Sequence, residues 1–119
     1  MTIGEVSEKY GLTTDTLRYY ERIGLIPNVP RKKNGIRDYD EYACKWVEFV
    51  KCMRAAGVQI EALIEFVELQ QHENIDNARL MEILTDQRKK LIEKMDHLKA
   101  TIERLDYKIE YFSKKLNYK

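Results

Sequence analysis

Two thiols, two imidazoles and one dense run of guanidinium and ammonium groups are the side chains in this 119-residue sequence with the means to do chemistry. Cys44 and Cys52 are eight residues apart. On one helix that spacing separates their α-carbons by about 12 Å, beyond the roughly 7 Å a disulfide can bridge. It is also not the CxxC spacing of a metal site. His72 and His97 lie 25 residues apart, too far to chelate one ion from a single helix. Neither a metal nor another cofactor is expected. The sequence has no Gly-rich phosphate loop, no Ser, His and Asp motif, and no His beside a Cys, so no enzyme is expected.

The basic run offers more. Arg18, Arg22, Arg31, Lys32, Lys33 and Arg37 face a single acid, Glu21, which leaves a local charge of +5 over 20 residues. Such a density suits a phosphate-binding surface. Glu61, Glu65, Glu68, Glu73 and Asp76 supply a compensating −5 further along the chain. The total of 21 basic against 20 acidic residues, net +1, therefore hides a bipolar molecule. For Arg18 and Arg22 taken alone, a solvated helix face is the plainer reading; the adjacent basic hairpin weighs against it.

Several elements must position these groups. Thr2 followed by Glu5 is a capping-box pattern; Ile3, Val6 and Tyr10 share a face, and Gly11 suits a left-handed stop. A second helix starts at Thr13 or Thr14 and runs through Ile23 to Gly24. Two short helices joined at Gly11-Leu12 make a helix-turn-helix candidate, in which Leu17, Tyr20 and Ile23 face the first helix. Thr14, Asp15, Arg18, Tyr19 and Arg22 then lie on the other side. Pro27 and Pro30 break helicity, and Asn34-Gly35 predicts a β-hairpin with strands near residues 28–32 and 36–39. Its tip carries Arg31, Lys32 and Lys33, as a wing does. Asp40 caps a third helix with Tyr42, Trp46, Phe49, Val50 and Met53 on one stripe, ending at Gly57. A fourth carries Ile60, Leu63, Ile64 and Val67.

From Asp76 a heptad ladder begins. Leu84, Leu91, Leu98, Leu105 and Phe112 recur every seven residues, with Met95, Ile102, Ile109 and Leu116 interleaved and a break at Arg88. A helix of about 40 residues spans roughly 60 Å. Its seam calls for the same helix of a second subunit, and so for a homodimer. A fold-back hairpin within one chain is the alternative, but residues 76–119 hold no Gly or Pro to make the turn. The expected domains are residues 1–72 for the helix-turn-helix with its linker helices and 76–119 for dimerisation. No apolar run nears the roughly 18 residues of a membrane span, and the first residues lack a signal-peptide pattern, so a cytoplasmic protein is expected.

Ile3-Gly4-Glu5, the run from Leu17 to Ile26 (Leu-Arg-Tyr-Tyr-Glu-Arg-Ile-Gly-Leu-Ile), Asn34-Gly35-Ile36-Arg37-Asp38-Tyr39, and Met53-Arg54-Ala55-Ala56-Gly57-Val58 stand in a specific order and spacing. On these motifs the chain resembles the MerR family of transcriptional regulators, in detail over residues 2–70 and in kind over the heptads. The resemblance implies an all-α dominated fold: a winged helix-turn-helix with a small β-hairpin wing, then a long C-terminal helix forming an antiparallel dimeric coiled coil. It implies binding to pseudo-palindromic double-stranded promoter DNA as a homodimer, the second helix in successive major grooves and the wings on the flanking backbone. Bending and untwisting of an over-long promoter spacer for RNA polymerase is the implied mechanism, a case of indirect readout. By position, Thr14, Arg18 and Tyr19 fall on the recognition helix with Arg22 on the same face; Tyr20 falls near the phosphates or core, Arg31 and Lys33 on the wing, and Arg37 and Tyr39 at the wing base.

The family divides by effector. Drug-binding members carry a ligand domain after the coiled coil, whereas this sequence ends three residues past the last heptad position; metal-sensing members carry cysteines that this sequence lacks after Cys52. Cys52 resembles the reactive residue of the thiol-stress and aldehyde-responsive branch, and Lys51 and Arg54 are candidates to stabilise its thiolate. A position near a helix C-terminus opposes negative charge, and a small buried apolar role is the alternative. Two further readings stay open: a DNA-bending protein that senses nothing, and a coiled-coil interaction protein that does not bind DNA.

Overall fold

A computed structural model describes residues 1–117, which form the helices α1 (Ile3–Tyr10), α2 (Thr14–Arg22), α3 (Glu41–Ala55), α4 (Ile60–Leu69) and α5 (Asn77–Asn117). Local chemistry sets the helix starts. Thr2 Oγ1 accepts from the Glu5 N–H at 3.2 Å while Glu5 Oε1 accepts from the Thr2 N–H at 2.9 Å, a complete capping box. That backbone donor is the main reason the Glu5 carboxyl titrates below its ordinary value. Thr13 Oγ1 caps α2 through the Thr16 N–H at 3.1 Å, and Asp40 Oδ1 caps α3 through the Ala43 N–H at 2.8 Å. Gly11, at φ +69°, ends α1 in the left-handed region that an L side chain resists.

The chain divides into two compact units, Met1–Gln87 and the segment from Arg88 onward. In the first, Val6 of α1, Leu17 of α2, Ile26, Tyr39, and Ala43 and Val47 of α3 form a fully buried core. Of the stripe expected on α3, Val50 alone is fully inside. Ala43, Val47 and Val50 are inside, because small and branched side chains let α1 approach α3 closely, while Tyr42 is exposed and Trp46 and Phe49 are half-buried. Those rings form a second layer with Phe66 of α4: Trp46 meets Phe49 at 5.8 Å and Phe66 at 6.3 Å, both edge-on.

The hairpin is shorter than its sequence promised. One antiparallel bridge, Arg31 to Arg37, replaces the two strands. Asn28 adopts φ +54°, which takes it out of any extended run. Lys32 donates to the Ile36 carbonyl and Gly35 to the Lys32 carbonyl, each at 2.8 Å, enclosing a three-residue loop. Only Gly35 uses positive φ, at +82°. Asn34 instead accepts from the Ile36 N–H through Oδ1, as an Asx turn does. A turn with a Gly bulge, not a two-residue turn, therefore closes the wing.

The first unit extends past residue 72 into α5. Ile83 is buried and Gln87 nearly so, the Gln87 amide donating to Gln59 Oε1 at 3.2 Å. Arg79 grips both oxygens of Glu65 and one of Glu82, which holds its guanidinium more firmly protonated than usual. In the second unit Met95, Leu98, Ile102, Leu105, Ile109, Phe112 and Leu116 are exposed and Leu91 is half-buried. No helix among the described residues is long and apolar enough to cross a membrane.

Candidate nucleic-acid interface

The turn between α1 and α2 is fixed from both sides. Gly11 turns the chain, and Ser7 Oγ donates to the Leu12 carbonyl at 2.5 Å. Leu17 then enters the core with no exposed surface, which rotates the opposite face of α2 to solvent. On that face Arg18 is exposed and lightly held, its Nη1 at 3.4 Å from Asp15 Oδ1 and 3.5 Å from Thr14 Oγ1. Exposed contacts of this length fix little, so the guanidinium is free to reorient. Tyr19 is 42% exposed, with the Arg22 guanidinium 5.4 Å above its ring. Tyr20 is half-buried and packs against the core, so the inward of its two expected placements is the observed one.

The wing joins this face through a single carboxylate. Glu21 Oε1 accepts from Arg31 Nη2 at 3.1 Å and Oε2 from Arg37 Nε at 2.5 Å. Glu21 and Arg37 are only 21% and 24% exposed, so this pairing is better shielded than the others nearby. Arg31 Nη1 also donates to the Gly35 carbonyl at 3.2 Å, tying the turn to the same node. Lys32 and Lys33 remain exposed at the tip. Sequence reasoning counted Glu21 as one charge to subtract and missed its role as a junction; the signal was a lone acid inside a basic run.

Tyr39 is a correction. Expected among the DNA contacts, it is 2% exposed and belongs to the core, because its ring closes the space between α1, α2 and α3. Its hydroxyl is buried without a hydrogen-bond partner, and burial first, then the negative charge of Glu21, pushes its pKa up. Its backbone does the positioning: the Tyr39 N–H donates to the Met1 carbonyl at 2.7 Å, holding the wing's return against α1.

Cys52 is exposed on α3 and Cys44 half-buried. Of the cations flanking Cys52, Arg54 donates from Nη1 to the Val58 carbonyl at 2.8 Å. Among the described residues no cluster of three or more His, Cys, Asp or Glu side chains is placed to hold a metal ion.

An exposed Arg, Tyr, Arg face beside a lysine-tipped loop can insert into a groove and grip phosphates. Comparisons with known proteins give the chain's family. The model of the MerR family regulatory protein matches residues 2–39. The HTH-type transcriptional regulator AdhR of Bacillus subtilis (strain 168) is 55% identical over 93 residues, 78% of this chain and 66% of that protein, just under two thirds of its length. The HTH-type transcriptional regulator HmrR of Rhizobium leguminosarum bv. viciae is 35% identical over 109 residues, covering 88% of this chain and 83% of that protein. Among solved structures, one assigned to the MerR family from Listeria monocytogenes superposes with a TM-score of 0.91 at 39% identity, over 95% of this chain and 86% of that one. HiNmlR, a MerR family regulator lacking the sensor domain and bound to promoter DNA, gives 0.86 at 26% identity, over 95% and 90%.

Proposed function

Because the chain belongs to the MerR family of DNA-binding transcriptional regulators, we propose that it binds a pseudo-palindromic promoter as a homodimer and distorts an over-long spacer for RNA polymerase. In this reading α2 enters the major groove. Arg18 reads base edges, Thr14, Tyr19 and Arg22 flank it, and Arg31, Lys33 and Arg37 hold the backbone on the wing side. The ladder of Leu84, Leu91, Met95, Leu98, Ile102, Leu105, Ile109, Phe112 and Leu116 pairs with that of a second copy. The observation that supports the reading is the exposure of Arg18, Tyr19 and Arg22 on α2, together with the pairing of Glu21 of the same helix to the wing residues Arg31 and Arg37.

Its control is assigned to Cys52, as the more exposed of the two thiols. Modification there by an electrophile or oxidant shifts the DNA between its relaxed and distorted forms. One observation favours a second reading, in which the protein bends DNA without an effector: Arg54 Nη1, on the cation two residues from Cys52, is held by the Val58 carbonyl. Footprinting on the DNA upstream of the chain's own gene, with and without diamide, separates the two. A protected inverted repeat whose central bases become hypersensitive only after treatment supports the sensor; hypersensitivity in both states supports the second reading. No protection at any salt concentration removes both.

A further inference from the structure

Glu21 is placed oddly for a residue of a DNA-binding face. It sits on α2 between Tyr20 and Arg22, it is the only acid from residue 18 to residue 37, and it holds two of the six cations in that stretch. Its two oxygens are used separately, Oε1 by Arg31 and Oε2 by Arg37, each through a guanidinium N–H. Two anionic oxygens spanning two guanidinium groups are what a phosphate diester also presents, with the same acceptor chemistry. We propose that Glu21 is an internal stand-in for a DNA phosphate: it holds Arg31 and Arg37 in the free protein and yields them to the duplex backbone on binding. The inference rests on the DNA-binding reading above and adds the residue that decides when the wing engages.

The physical consequence is selectivity. In the free state Glu21 offsets one of the two arginine charges and fixes both guanidinium groups, so a passing duplex meets Lys32, Lys33, Arg18 and Arg22 but not the full local charge. Taking Arg31 and Arg37 from Glu21 costs a partly shielded ion pair. That cost is recovered only when the backbone is shaped so that phosphates reach both guanidinium groups. The contrast with Asp15 is instructive. Its contact to Arg18 is 3.4 Å long and its carboxylate almost fully exposed, so it restrains nothing comparable. Glu21 is a positioning residue: it acts on DNA through the two arginines.

The test uses the full chain and a mixed-sequence duplex of about 30 base pairs, some three helical turns, followed by fluorescence anisotropy. Glu21→Gln keeps the side-chain shape and removes the charge. It should bind this non-specific duplex about three- to tenfold more tightly than the parent. Adding Arg31→Gln and Arg37→Gln should erase that gain, while the same two changes in the parent, where Glu21 already holds both arginines and offsets one of their charges, should cost less affinity than they do in the Glu21→Gln background. If Glu21 only braces the fold, Glu21→Gln leaves non-specific affinity unchanged or weakens it, and the proposal falls. Should that variant fail to fold, the parent protein still decides the matter. The Arg37 Nε–H resonance must shift on saturation with duplex, and a resonance that stays fixed while the backbone amides of α2 move overturns the exchange. A parent that binds no duplex at low salt overturns the DNA-binding reading itself, an outcome distinct from either.

Discussion

The Arg54 guanidinium donates to the Val58 carbonyl across 2.8 Å, so the cation two residues from Cys52 closes the end of α3 instead of facing the thiol. Cys52 is exposed and Cys44 half-buried, so access separates the two thiols. Limiting iodoacetamide should label Cys52 before Cys44, as read by peptide mass mapping. In cells, Cys52→Ala should remove promoter induction by an aldehyde or diamide and Cys44→Ala should not. Equal induction in the two variants would show that the signal enters elsewhere.

Among the described residues Arg18 hydrogen-bonds to Thr14 and Asp15 alone, both over long distances on an exposed face. Removing it should leave the fold and the dimer intact while deleting a base-reading group. Arg18→Ala is expected to lose about 1–3 kcal/mol of specific promoter affinity, roughly fivefold to more than a hundredfold. Undiminished binding in a gel-shift assay, with unchanged sedimentation, would sink the assignment of α2 as the recognition helix.

What could be read from the sequence was whatever depends on near neighbours. Thr2 with Glu5, Thr13 and Asp40 are caps decided within three residues, and Gly11 announces its own positive φ. Contacts across space were less accessible. Tyr42, Trp46 and Phe49 looked like the core stripe of α3 because they are large, yet close helix approach selected Ala43 and Val47. Glu21 lies 10 and 16 residues from its two arginines, and nothing in a charge count says they will meet. Tyr39 shares its motif with Arg37 but not its surroundings: Arg37 is partly exposed and paired with Glu21, while the Tyr39 ring lies in the core.

Tyr39 offers a direct check on that correction. Its hydroxyl is buried with no partner, so it contributes desolvation cost and no compensating bond. Tyr39→Phe should leave stability unchanged or raise it by up to about 1 kcal/mol, and should not alter promoter affinity. Thermal denaturation that shows a clear loss, or a gel shift weakened by the variant, would mean that the hydroxyl finds a partner on DNA or in the folded chain.

The capping box of α1 gives a pH signature. The Thr2 N–H holds the Glu5 carboxylate, so its folded-state pKa lies below the ordinary value. A depressed carboxyl adds stability above its unfolded value, near 4.5, and loses it as the pH falls through the lower folded value. The parent should therefore melt above Glu5→Gln at neutral pH, with the difference shrinking in acid. A gap in melting temperature that persists unchanged well below the ordinary carboxyl range would remove the charge from the explanation.

The seam of α5 supplies the test of assembly. Leu98, Ile102 and Leu105 are each more than half exposed on one chain, so a charge there disturbs nothing within the protomer. Between two copies it would be enclosed. Burying a leucine contributes about 1.5–3 kcal/mol, and a carboxylate in its place adds the cost of desolvation without a partner. Leu105→Asp should therefore raise the dimer dissociation constant well over tenfold while leaving the helix-turn-helix folded. Sedimentation velocity should show the shift to monomer, and circular dichroism the retained helix. Loss of the dimer should also weaken binding to an inverted repeat more than to a single half-site, because only the repeat draws on two linked recognition helices. A variant that still sediments as a dimer would place the subunit contact on another surface.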